Sequence, residues 1–535
     1  MATHRPTPTH RPATDAPAAA EPTLIEAALT TEELADRVEM VLRPLGGDRY
    51  RAAAVDGSVE FVRRTEGVRY RYEVAAVEGR HPLERQDDAA WIGPADERLS
   101  AERAGHPDRR TNSYPHAFDS IAQFFDGQHA PELMVLHTAA HRSDGNLGQH
   151  GSLGAVQARA PFIAAGAGIR ALGSLDRSTR VVDLAPTIAA VLGFDPHPAG
   201  IGPTGAPRSD ALLARQDGDP VAEVLDGTVA DHVLVVLLDG CNANLLLEVV
   251  EAGDAPAIAS LIERGVHLRH GMFSSLPTAT LANHTTAVTG AHPGHSGVLH
   301  NTWLDRRDGS TPDLLSMEQM FWSADHLEPG VETLFDALER NRPGATSSAT
   351  FEFCDRGATF SSFGLVRAGS GDALPELDDV THLHRPSAEA SAAYRFMSTV
   401  DHLSVEHTIA QWDAGQRDAG QWEAGQRDGA RLPTLSWVSL AVTDEAGHES
   451  GPHGELARHA VIDSDARIAD LLAAVDAAGA TDRTAVFVIA DHGMEQSDPD
   501  LDATWDDALA ATGVEHVEVG GGLIYLGFSD RAPRP

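Results

Sequence analysis

The sequence predicts an α/β fold, a three-layer αβα sandwich around a mostly parallel sheet. Strand-like and helix-like stretches alternate through most of the chain. Several strands, such as "HVLVVLL" (232–238) and "TAVFVIA" (484–490), are continuous apolar runs, as expected of strands covered on both faces. Polar residues gather where these strands end, the edge at which such sheets bind ligands.

At 535 residues and 56.7 kDa the chain can bury a large core, as one extended sheet or as several domains. Its 41 basic residues are all arginine and face 79 acidic ones, for a net charge of −38. A field of that sign repels phosphate backbones, so no nucleic-acid polymer is expected as a partner. A small anion can bind where metal cations reverse the sign locally. Cys241 and Cys354 are too few for a disulfide framework, and Cys241 reads as a small buried apolar side chain. No apolar run approaches the ~20 residues of a membrane helix. The N-terminus lacks an apolar signal core. A cytoplasmic protein without a membrane partner is expected.

Residues 1–22, rich in Pro, Thr, Ala and His, read as a disordered tail. "TTEELADRVEMVLRPL" (30–45) reads as an amphipathic helix capped by Thr31. Residues 50–77 alternate around an Asp-Gly turn and read as antiparallel strands. Residues 78–114 are polar and irregular. A helix is expected over 116–127, a buried strand over 132–140, a loop over 141–155, a strand over 161–169 and a helix over 180–194. Residues 195–230, rich in Pro, Gly and Asp, read as a linker. A second α/β pattern follows: the 232–238 strand, two helices, and the stretch "LPTATLANHTTAVTGAHPGHSGVLHN" (276–301). Residues 302–395 lack a strong period and read as an insertion over the site. The repeat at 411–430 reads as a polar helix or loop without chemistry. Residues 434–455 read as a strand followed by a polar loop, 457–479 as a long helix, and 484–494 as a strand ending in Asp491 and His492.

Three strand ends carry acids or imidazoles: Asp239, then Asp444 with His448, then Asp491 with His492. Alone, each end reads equally as a cap or a satisfied turn. Together they imply carboxylates converging at one sheet edge, which would repel and desolvate badly without cations. Carboxylate oxygen with imidazole nitrogen suits zinc, with manganese or iron as alternatives. Asp444 and His448 are four residues apart, a spacing that fits one helical face or a tight turn. Asp491 and His492 can reach one ion only if the chain turns after them, which Gly493 permits.

The "DG" at 239–240, the 276–301 stretch, "TDEAGHESGP" and "ADHGM" resemble, in order, the motifs of the nucleotide pyrophosphatase/phosphodiesterase branch of the alkaline phosphatase superfamily. The resemblance implies an alkaline phosphatase-like fold and a metal-dependent phosphoester hydrolase with two divalent ions. It makes Thr280 the nucleophile. Asp239, Thr280, Asp491 and His492 would hold one metal, and Asp444 with His448 the other. Asn301 would donate to a phosphoryl oxygen. The family's last histidine ligand is missing after His492, where His516 sits in an apparent strand pair. "GNLGQHGSLGAVQARAPFIAAGAGI" near the front resembles the segment that carries it, with His150 as the match.

The chain therefore reads as circularly permuted, with 23–194 equivalent to the family's C-terminal part and 231–535 to the rest. Together 23–535 would form one catalytic domain. His284, His295, His300, His137 and His141 read as structural or supporting residues. "SDGN" (143–146) is a candidate substrate contact by position alone. A small phosphoester substrate is expected, most simply a diester. Leu281 stands where nucleotide diesterases often carry a stacking aromatic. Phosphomonoester or phosphonate hydrolysis on the same centre is the alternative, and a metal-binding protein without activity is another.

Overall fold

The computed structural model describes residues 20–88, 112–138, 140–141, 146–369, 391–419, 432–502 and 504–527. Five strands come from the front of the chain: β1 (Val38–Gly46), β2 (Arg49–Ala54), β3 (Gly57–Glu66), β4 (Arg69–Gly79) and β5 (Leu133–His137). Then come β6 (Phe162–Gly166), β7 (Gly173–Leu175), β8 (His232–Leu238), β9 (Gly265–Leu268), β10 (Ser347–Thr350), β11 (Phe360–Ser361), β12 (Leu435–Leu440) and β13 (Thr484–Ile489). The last two are β14 (His516–Val519) and β15 (Leu523–Leu526).

An eight-stranded sheet has the order β7-β9-β6-β13-β8-β12-β10-β11. Neighbours run parallel except around β6, which is antiparallel to both β13 and β9. Every residue of β8, β12 and β13 is buried, because helices cover both faces. On one side α4 (Ala243–Glu251), α5 (Pro256–Arg264), α8 (Ala392–Ala419) and α10 (Glu455–Ala477) pack together. On the other lie α3 (Leu184–Val191), α6 (Thr280–Thr289) and α7 (Leu334–Asn341). This is the expected sandwich. Among the described residues, no helix is long and apolar enough to cross a membrane.

A seven-stranded antiparallel sheet, β14-β15-β5-β1-β2-β3-β4, mixes strands from both ends of the chain. Ile25 and Leu29 of α1 (Glu21–Leu29) share a small core with Ile524 and Leu526 of β15. The front segment thus supplies β6 and β7 to one sheet and most of the other.

Several local expectations are corrected. The helix expected over 30–45 is instead strand β1, preceded by α1. Val38, Met40, Val41 and Leu42 are all buried, and pairing with β2 and β5 overrides the helical tendency of the run. The tail ends sooner than expected, since α1 begins at Glu21; residues 1–19 lie outside the described residues. The loop after β12 is a helix, α9 (Val442–Ser450). The 302–395 segment is not wholly an insertion, because β10 runs in the main sheet beside β12. The 195–230 segment is an ordered strap, in which Arg208, Gln216 and Asp217 are buried. The expected strand pair around His516 and the helix expected over 116–127, α2 (Ala117–Phe124), are present. Residues 143–145 of "SDGN" and 420–430 of the repeat lie outside the described residues.

Candidate active site

The strand order β13-β8-β12 sets the polar ends side by side. Asp239 follows β8, Asp491 and His492 follow β13, and α9 carries Asp444 and His448 just beyond β12. Asp239, Asp491 and His492 each offer a ligand atom within 4.8 Å of the others, and so do His150, Asp444 and His448. The two groups touch, since the His150 and His492 rings stack with centroids 3.8 Å apart. All the sequence-selected ligands therefore meet in one place, His150 included.

His150 arrives on the loop at 146–151. Gly148–Gln149 pairs with Glu495–Gln496, just past His492. Thr278, two residues before Thr280, fastens the loop. Its hydroxyl donates to the Ser152 carbonyl at 2.9 Å and accepts from Gly151 N–H at 2.7 Å. Gly240 has φ +60°, and a Cβ there would collide with the Asp444 carboxylate. Its N–H donates to Asp491 Oδ1 at 3.1 Å.

Imidazole orientation defines the chemistry. His150 Nδ1 lies 2.8 Å from Thr278 O, His448 Nδ1 2.8 Å from Gly148 O, and His492 Nδ1 2.9 Å from Gly493 O. A carbonyl only accepts, so each Nδ1 carries the proton and each Nε2 presents a lone pair. Those lone pairs face other acceptors. His150 Nε2 is 3.2 Å from His448 Nε2 and 3.8 Å from Asp444 Oδ1. His448 Nε2 is 3.4 Å from Asp444 Oδ2. His492 Nε2 is 3.2 Å from Asp491 Oδ2 and 3.8 Å from Asp239 Oδ1. Asp239 Oδ1, Asp444 Oδ1 and Asp491 Oδ2 are buried without a hydrogen-bond partner. Burial pushes Asp239 up to about 7, helped by the Asp491 and Asp444 charges, and Asp491 up to about 6. Burial likewise drives His150 well below its ordinary value. Such a set of converging acceptors fits divalent cations, and the mixed oxygen and nitrogen donors suit zinc, manganese or iron.

Thr280 opens α6, where the helix N-terminus favours negative charge. Its hydroxyl lies 3.4 Å from His492 Nε2. Leu281, next in the chain to Thr280, donates its N–H to Asn301 Oδ1 at 3.0 Å, which leaves the NH₂ group as the donor of that amide.

Two contributors escaped the sequence reading. Glu352 is buried and accepts from His284 Nδ1 at 2.9 Å, the Ser439 hydroxyl at 3.0 Å and Cys354 N–H at 2.9 Å. His284 Nε2 then points at Asp239 Oδ2 (3.8 Å) and Asp491 Oδ2 (3.9 Å). An acid inside the otherwise apolar "ATFEFC" was the available signal. Thr278 offered none beyond its place before Thr280.

His295, His137 and His300 belong to neither group of ligand atoms, and the side chain of His141 lies outside the described residues. His295 bridges Asp217 (2.6 Å) and Asp126 (3.0 Å), and His137 Nε2 lies 3.2 Å from His150 O. His300 is held neutral by burial, which pushes it down to about 4. Burial pushes the Cys241 thiol up to about 12, so it is inert.

The profile of the type I phosphodiesterase / nucleotide pyrophosphatase family matches residues 233–533. That span holds every candidate site residue except His150. A stretch of 73 residues is 38% identical to an uncharacterized pyrophosphatase/phosphodiesterase of Schizosaccharomyces pombe, covering 14% of each protein. Human ectonucleotide pyrophosphatase/phosphodiesterase 5 is 19% identical with a TM-score of 0.35, over 50% of this chain and 58% of that one. An inactive form of the murine protein in complex with AMP gives 18% and 0.32, over 49% and 57%. The chain thus spans less than two thirds of each of these relatives.

Proposed function

From the chain's membership of the type I phosphodiesterase / nucleotide pyrophosphatase family, we propose that it is a metal-dependent phosphoester hydrolase of the diesterase type with Thr280 as nucleophile. The observation that carries this is the set of imidazole lone pairs and orphaned carboxylate oxygens gathered next to a threonine hydroxyl. Asp239, Asp491, His492 and Thr280 would hold one divalent ion, and Asp444, His448 and His150 a second, with zinc the best fit. Bound there, such ions lower the pKa of a coordinated hydroxyl and neutralise phosphoryl oxygens.

Thr280 Oγ attacks phosphorus in line, and the bond to the leaving alcohol breaks. The product is a phosphothreonine-type ester. Water then attacks the same phosphorus from the vacated side, frees the phosphorylated product and restores Thr280. Asn301 donates to a non-bridging oxygen as charge builds up, and the N-terminus of α6 adds its dipole. Thr280→Ala is expected to abolish turnover of a 4-nitrophenyl phosphodiester while keeping most of the bound metal. Retained turnover, or a strong preference for 4-nitrophenyl phosphate over the diester, contradicts the reading.

The proposal extends to chain order. His150 lies outside the matched span yet joins the site, and β6 sits inside the main sheet. The shared core of α1 and β15 brings the two ends of the described chain together. These observations support a circular permutation in which 23–194 does what a C-terminal segment does in the family.

A further inference from the structure

A cavity of about 110 Å³ opens next to Ala279, the neighbour of Thr280, against strands β5 and β15 of the seven-stranded sheet. Ala279, His150 and Asn301 border it on the side of Thr280. His137, His300 and the turn at Gly520–Gly522, which joins β14 to β15, close the far side. The turn can press close because its glycines have φ +60°, +71° and +151°. A Cβ on Gly520 would stand 2.6 Å from Thr302 O and 3.0 Å from His300 Nδ1, and one on Gly522 2.5 Å from Val135 O.

Two properties limit what fits. The volume is well below the about 300–1,000 Å³ of pockets that enclose drug-sized ligands, so a nucleoside cannot be enclosed in it. The charge is the other. Although the chain carries −38, no carboxylate and no arginine lines the cavity among the described residues. Its polar groups are imidazole, amide and backbone. Thr302 N–H donates weakly to His300 Nδ1 at 3.4 Å, which leaves Nε2–H as a neutral donor. Beyond the ion proposed at His150, no permanently charged side chain among the described residues lines it to hold a second phosphate.

We infer that this cavity receives the second ester arm of the substrate, and that this arm is a small uncharged alcohol. The substrate class is then a phosphodiester with a short alkyl or hydroxyalkyl arm, rather than a nucleoside diester or a pyrophosphate. The inference rests on the hydrolase reading above.

Two esters with the same leaving group test it on the metal-loaded full chain: methyl 4-nitrophenyl phosphate and thymidine 5′-(4-nitrophenyl phosphate). The methyl ester is expected to have the higher kcat/KM by about tenfold or more. His300→Ala should reduce that preference about fivefold, mainly through KM, and His300→Gln, which keeps a donor, should restore most of it. Equal or better turnover of the thymidine ester overturns the inference and leaves the hydrolase reading standing. Turnover of neither ester overturns both. Calorimetry on metal-loaded Thr280→Ala gives a reading independent of turnover. Ethyl phosphate is expected to bind more tightly than thymidine 5′-monophosphate, and the reverse order contradicts the assignment.

Discussion

His150, His448 and His492 each commit Nδ1–H to a backbone carbonyl, and this fixes which nitrogen is left for a cation. Glu352 does the corresponding work on His284, which faces Asp239 and Asp491. Glu352→Gln is therefore expected to weaken metal affinity about 10- to 100-fold, measured by competition with a chelating dye. Unchanged affinity would remove Glu352 from the account. His295 gives a pH prediction. Burial alone would lower its pKa, but Asp217 and Asp126 together hold it above 6.5. The folded state thus keeps a proton that the unfolded chain gives up. This stabilisation is fully present below pH 6.5 and is lost as pH rises through the raised value. The advantage of the natural protein over His295→Gln in thermal denaturation should shrink as pH rises from about 6.5 through the raised value; a widening gap contradicts the charged bridge. Asp239, Asp444, Asp491 and their histidines were legible in the sequence because they end apolar runs. Glu352 and Thr278 were not, because their importance lies in partners distant in the chain.

At the scale of elements, α9 sets Asp444 and His448 one turn apart, so both face the His150 loop. The sequence favoured a loop there, because Gly447 interrupts a short polar run, while Gly451 and Pro452 only mark where the helix stops. Tertiary packing prevails over Gly447, as it does over the helical pattern of 38–42. The turn from β8 into α4 needs Gly240 twice, for its left-handed φ and for the space the Asp444 carboxylate occupies. Gly240→Ala is expected to cost about 1–2 kcal/mol of stability through backbone strain alone. It should also lower metal content by displacing Asp444. Chemical denaturation and metal analysis check the two effects separately, and a variant with normal metal content contradicts the close packing.

Across the whole molecule, the sandwich was readable from its apolar strands, but the way its two halves interlock was not. Sheet order depends on which strands pair, and β6 carries no local mark that it will lie antiparallel between β13 and β9. The interlocking makes a definite prediction. A chain opened at the exposed turn between Gly227 and Thr228, with 527 joined to 20 by a short linker, is expected to fold and to keep its metal content. Failure of that chain to fold cooperatively in thermal denaturation would argue against the permuted order. The central claim is that one active site is assembled from both halves, with His150 completing it. Metal analysis of purified His150→Ala by mass spectrometry, paired with diester turnover, tests this most directly. The account predicts a fall from about two ions per chain to about one, with activity lost. Full metal content with full activity would contradict it.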